Sequence, residues 1–173
     1  MAQDAFTLYK LIILYMLERA KLPLTNAQIS DFILENDYTN YFNIQSAITE
    51  LEQNRFITIE TIRNSSHIHI TDEGREVLGY CIQEISEAIK KDVESYLDKN
   101  MVDIMEDTLV VADYFQVNEN EYTARCIVKD GTSNAVEINL NVATEEEAST
   151  ICARWKDKSQ DVYAYLIQQL LAE

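Results

Sequence analysis

Residues 56–78 read FITIETIRNSSHIHITDEGREVL, and this stretch decides the fold. Ile57 and Ile59 alternate with polar side chains, as do Ile68 and Ile70, which is the two-residue period of a half-buried strand. Arg63-Asn64-Ser65-Ser66 separates the two runs, so 56–62 and 67–71 predict a β-hairpin. Thr71-Asp72-Glu73-Gly74 then opens a helix. Leu78, Cys81, Ile82, Ile85, Ile89, Val93 and Tyr96 line one side of it, so a single helix is expected over 73–100, roughly 40 Å long at about 1.5 Å per residue.

Upstream of the hairpin the period is helical. Over 7–20, Leu8, Leu11, Ile12, Tyr15 and Met16 form a stripe that Ile13, Leu14 and Leu17 widen, and a helix apolar on nearly every side is buried by more than one neighbour. Pro23 ends it, and Thr25 with Gln28 three residues on predicts a capping box for a second helix running to about Glu35. A polar turn over 36–40 leads to a third helix over 41–54, in which Phe42, Ile44, Ala47, Ile48 and Leu51 keep helical spacing up to the stop at Asn54.

Three helices, a hairpin and a further helix in this order are the plan of a winged helix, a helix-turn-helix variant whose third helix can enter a major groove. In its hairpin context, the Thr-x-x-Gly-x-x-x-Leu run at 71–78 resembles the wing and following helix of the PadR and MarR regulators. Nearly the whole chain is similar to a family of uncharacterised bacterial winged-helix proteins known only as a domain of unknown function. That resemblance implies a fold and no activity.

Downstream, 109–117, 122–128 and 136–142 read as three strands, joined by Asn118-Glu119-Asn120 and by a loop containing Asp130-Gly131. Val136, Ile138, Leu140 and Val142 alternate with Glu137, Asn139 and Asn141, so the third strand has one buried and one wet face of an antiparallel meander. Thr144 and Glu147 form a second capping box, ahead of Ala148, Ile151, Cys152 and Trp155 on one helical face. The stripe resumes at Val162, Leu166, Ile167 and Leu170, which predicts a break between two helices at 157–159. Trp155 is expected to pack on the sheet face that carries Ile138 and Leu140. The expected class is α+β: a winged-helix domain over 1–80, a connecting and dimerisation helix over 81–103, and over 104–173 a three-stranded antiparallel sheet with helices on one face.

Composition limits the function. Apolar residues at 47% and charged residues at 25% exclude wholesale disorder, and three Gly with one Pro leave little material for a flexible linker. Thirty acids against fourteen bases give a charge of −16, which opposes nonspecific attraction to phosphate backbones and anionic membranes. The longest apolar run, 11–17, is far short of the ~20 residues that cross a bilayer, and Asp4 ahead of it does not suit a signal peptide, so a cytoplasmic protein without a membrane partner is expected. Cys81, Cys126 and Cys152 lack CxxC spacing and read as small buried apolar residues.

DNA readout belongs to the third helix. Tyr38, Thr39, Asn40, Asn43, Gln45, Ser46 and Thr49 offer hydrogen-bonding groups near its entrance, with Asn40, Asn43 and Gln45 the candidates to approach base edges. Arg55 at the end of the helix and Arg63 at the wing tip are the candidates for phosphate contact. Against them stands a stretch with no Lys or Arg between Lys21 and Arg55, and through Tyr80 six bases face eleven acids, a balance of −5. His67 and His69 share a strand face, but no further His or nearby Cys completes a metal site, so they are expected as exposed wing histidines. Glu145-Glu146-Glu147 fits the first turn of a helix, where negative charge favours the dipole, and Asp103, Glu106 and Asp107 are read as solvated. No GxSxG, phosphate-cradling glycine loop or Cys–His pair points to catalysis, and neither cofactor nor metal is expected. The sequence thus predicts a transcriptional regulator binding double-stranded DNA, with the C-terminal half serving assembly or sensing. The contending reading is an acidic winged-helix adaptor that binds protein and not DNA. Apolar surplus on the first helix and on the long helix predicts a two-fold homodimer.

Overall fold

In the computed structural model, which describes residues 4–172, the first helix, α1 (Ala5–Ala20), is the centre of the N-terminal half. Residues 11–17 are buried without a gap. Lys21 follows in the left-handed region at φ 54°, Pro23 prevents continuation, and Leu24–Thr25 forms a short strand, β1. Thr25 also caps α2 (Asn26–Glu35): its Oγ1 accepts from the Gln28 N–H at 3.1 Å while Gln28 Oε1 accepts from the Thr25 N–H at 2.9 Å. After α3 (Tyr41–Gln53), β2 (Ile57–Ile62) and β3 (Ser65–Ile70) pair through the two-residue turn Arg63-Asn64.

β1 adds to the other side of β3, giving an antiparallel sheet in the order β1-β3-β2. The expected hairpin is therefore three strands. A two-residue strand carries no periodic signal, and its pairing, Leu24 opposite Ile68 and Thr25 opposite His67, is set by tertiary packing. One consequence is that β3 is central and His67 is buried, not an exposed wing residue. His69 is half-exposed, with Nε2 3.5 Å from Glu60.

The helix expected over 73–100 is interrupted. α4 (Asp72–Cys81) gives way to a 3₁₀ turn at Ile82–Glu84, Ile85 is extended, and α5 runs over Glu87–Leu109. Ser86 starts α5, its Oγ accepting from the Ile89 N–H at 3.3 Å and its carbonyl from the Lys90 N–H at 3.1 Å. The apolar stripe hides this break because Ile82 and Ile85 both pack on the core that α1 organises. α1 itself is covered by α3, α4 and β3, so the surplus apolar surface expected on it is used within its own unit.

Thr71 and Gly74 lock the start of α4 to the end of α3. Thr71 Oγ1 donates to the Arg55 carbonyl at 2.7 Å and accepts from the Gly74 N–H at 3.0 Å, while the Thr71 N–H donates to the Phe56 carbonyl at 3.0 Å. Gly74 lies so close to that carbonyl that a Cβ would stand 2.1 Å from its oxygen.

The chain divides into two compact units, 1–104 and 105–173, with the division inside α5. In the second, β4 (Val110–Asn118), β5 (Glu121–Asp130) and β6 (Ser133–Val142) form an antiparallel meander, and α6 (Glu145–Leu171) crosses one face. α6 is one helix, without the break expected at 157–159. Ser159 continues the buried stripe of Ala148, Cys152 and Trp155, because a serine is small enough to be buried and its hydroxyl donates to the Lys156 carbonyl at 3.4 Å. Trp155 packs in the same cluster as Ile138, and its Nε1 donates to the Ile127 carbonyl at 3.1 Å. The architecture is thus mixed α+β, with six helices and two three-stranded antiparallel sheets among the described residues. No described helix is long and apolar enough to cross a membrane.

Candidate nucleic-acid interface

The helical phase of α3 separates a core face from a free one. Ile44, Ala47, Ile48 and Leu51 are buried at i, i+3, i+4 and i+7. At about 3.6 residues per turn, Phe42, Ser46, Thr49 and Gln53 fall on the opposite face, and all four are exposed. Phe42, expected in the apolar series, is 82% exposed and contributes nothing to the core. Tyr41 beside it is 55% exposed. No charged residue occurs over 38–49, and the next acid, Glu50, accepts from Lys10 Nζ at 3.0 Å.

The amides expected to approach bases have structural partners. Asn40 is the N-cap of α3, with Oδ1 accepting from the Asn43 N–H at 2.9 Å. Asn43 is half-buried, and its Nδ2 donates to Thr39 Oγ1 at 2.8 Å. Gln45 exchanges two hydrogen bonds with Asn26, each 2.8 Å, and so braces α2 against α3. Ser46 and Thr49, which belong to the expected polar set, and Phe42 and Gln53, which do not, make up the outward face instead. The signal that finds them is the phase of the buried stripe at 44, 47, 48 and 51.

A cluster of aromatic rings fixes the α2–α3 corner. Phe32 meets Tyr96 edge-on at 5.3 Å and Tyr38 at 5.9 Å between ring centroids. Tyr38 Oη donates to Asp92 Oδ2 at 2.6 Å, and Tyr96 Oη donates to the Gln28 carbonyl at 3.1 Å, so both phenols tie α5 to this corner. Burial, reinforced by the Asp92 carboxylate, pushes the Tyr38 phenol up to about 12. Burial also pushes Tyr96 up to about 12, with Asp31, Glu35 and Asp103 adding to the effect.

The two expected phosphate contacts lie at the ends of the adjoining elements. Arg55 follows α3 at φ 63°, and Arg63 is the first residue of the β2–β3 turn at φ 46°. Both side chains are exposed. Left-handed backbone favours glycine, so a side chain at each position costs on the order of 1 kcal/mol. Within the unit Lys10 pairs with Glu50, Arg19 with Glu94, Arg75 with Glu18 and Asp72, and Lys90 with Glu87.

Compared with known proteins, residues 9–170 match the family model described as a domain of unknown function (DUF4364), and the chain belongs to that family. No curated protein matches the chain. No solved structure matches it either.

Proposed function

We propose that the N-terminal unit is a winged helix that binds double-stranded DNA in a regulator of PadR/MarR-like plan, and that the C-terminal unit serves assembly or sensing. The observation that carries this reading is the exposed, uncharged face of α3, flanked by two exposed arginines held in left-handed turns. Serine, threonine and glutamine side chains match the donors and acceptors of a major groove, and a phenyl ring matches a thymine methyl. Arginines suit phosphate. The order α1-β1-α2-α3-β2-β3, with strands arranged β1-β3-β2, supports the winged-helix reading, with α2 and α3 as the helix-turn-helix pair. Within it Asn40 and Gln45 set the attitude of α3, and Asn43 stands at the margin of its free face. A cytoplasmic location belongs to the same proposal.

The net charge of −16 implies weak, salt-sensitive binding. The test is a duplex titration across salt concentrations. Arg63→Ala should weaken binding about equally on all sequences and flatten the log–log salt slope by about one unit. Thr49→Ala should relax preference at one position, at a cost of about 1–3 kcal/mol. A second reading, the protein-binding adaptor, is favoured by the exposure of Tyr41 and Phe42 at the entrance of α3. It gains if Phe42→Ala abolishes capture of a protein partner while no duplex binds.

Assembly as a two-fold dimer belongs to the same proposal, with its seam moved away from α1. Residues 162–171 of α6 contain no ionisable Asp, Glu, Lys or Arg, and Leu170 and Leu171 are 76% and 73% exposed. Two copies that each carry −16 approach most readily along such a segment.

A further inference from the structure

α6 lies over β4 and β5 and only skirts β6, the edge strand on the other side of β5 from β4. Ile138 and Leu140 of β6 face the helix side, yet Ile138 is half-buried and Leu140 is 44% exposed. The offset leaves a groove of about 190 Å³. Its walls are Cys126, Ile138, Leu140, Ile151, Trp155 and Val162. Nothing in these walls is charged. The Trp155 Nε1–H is already given to the Ile127 carbonyl, and burial pushes the Cys126 thiol up to about 11, so it stays neutral.

The rim is different. Arg154 and Lys158, one turn apart on α6, complete the lining, and both are exposed. Among the described residues neither forms an ion pair, although acids outnumber bases thirty to fourteen and Asp157 and Asp161 stand within a turn of them. The other α6 cation, Lys156, lies on the opposite flank of the helix and bridges Asp107, and Arg125 of β5 bridges Glu137 at 2.9 Å. Two unanswered cations over an apolar groove are complementary to a ligand with an anionic head and a short hydrocarbon tail.

We propose that the groove between α6 and β6 binds a free amphipathic carboxylate, its tail against Trp155, Ile138 and Leu140 and its carboxylate between Arg154 and Lys158. The volume suits a tail of roughly six to eight carbons. This deepens the sensing role proposed for the C-terminal unit and is independent of DNA binding by the N-terminal one.

Trp155 is the chain's one tryptophan, so its fluorescence reports on the groove. The experiment titrates the full chain, without DNA, with sodium octanoate, octan-1-ol and octyltrimethylammonium. Octanoate should give a saturable change with a dissociation constant below about 1 mM, octanol a weaker one and the cation none. In the doubly substituted chain, Arg154→Gln with Lys158→Gln, octanoate affinity should fall about tenfold while the octanol response is unchanged. Both side chains are exposed, and an unchanged circular dichroism spectrum shows that the variant keeps the fold. The proposal is overturned if octanoate gives no saturable change up to about 5 mM, or binds the variant as tightly as the original chain. Octanoate binding that leaves duplex affinity unaltered would retire the sensing role and keep the site.

Discussion

Replacing Gly74 by alanine tests the junction that holds α4 against the end of α3. The new methyl would lie 2.1 Å from the Phe56 carbonyl oxygen and 3.0 Å from both Phe56 C and Ile70 Cγ1. Ordinary contact begins near 3.4 Å, so helix and carbonyl must separate by about 1.3 Å. The carbonyl has little room to yield, because it accepts from the Thr71 N–H at 3.0 Å and the neighbouring Arg55 carbonyl is held by Thr71 Oγ1 at 2.7 Å. Overpacking of this kind costs about 1–3 kcal/mol, and loss of one hydrogen bond adds about 1 kcal/mol. The helix propensity of alanine returns at most about 1 kcal/mol. The net expectation is a loss of about 1–3 kcal/mol in urea melts followed by circular dichroism. Gly79, in the same helix, is the control: an added Cβ there meets nothing within 4 Å, so Gly79→Ala should gain about 0.5–1 kcal/mol. The same substitution five residues apart should act with opposite sign. If Gly74→Ala lies within about 0.5 kcal/mol of the original chain, α4 does not rest on the Phe56 carbonyl and the reasoning is refuted.

Three further expectations follow from the packing. Trp155→Ala should cost about 3–5 kcal/mol, since it empties the centre of the second core and leaves the Ile127 carbonyl without its donor; a loss under about 1 kcal/mol would place Trp155 outside that core. Tyr38 and Tyr96 hold their protons up to about 12 in the fold against 10.0 unfolded, so their contribution is intact below pH 10 and is lost as pH rises from 10 to 12. Phenolate absorbance and helical circular dichroism should therefore change together in that window, and loss of helix below it would contradict the assignment. Light scattering at tens of micromolar should give a dimer that Leu170→Asp with Leu171→Asp converts to a monomer; a monomeric original chain would remove the seam on α6.

The hairpin is legible in the sequence because a period of two sends every isoleucine of 57, 59, 68 and 70 to one side. Both capping boxes, Thr25 with Gln28 and Thr144 with Glu147, are equally local and equally legible. What escapes is decided by packing between distant segments. β1 is two residues long and exists by pairing with β3, and that pairing is what buries His67. The break at Ile85 is masked because an apolar residue serves the core on either side of it, whereas the break expected near Ser159 is absent because a polar residue happens to be small. At the candidate interface, Arg55 and Arg63 are visible as residue types, but the outward face of α3 depends on helical phase. Counting Phe42 with the apolar series hid that phase; it stands opposite Ile44, Ala47, Ile48 and Leu51.

The central claim is that α3 reads duplex DNA, and the most direct measurement is selection by the full chain from a random duplex pool at about 50 mM salt. The account predicts one enriched sequence, lost from the selection at about 0.2 M salt and less sharply defined when Thr49→Ala replaces the original chain. A pool that emerges with no sequence enriched at the lower salt would contradict it and leave the free face of α3 to a protein partner.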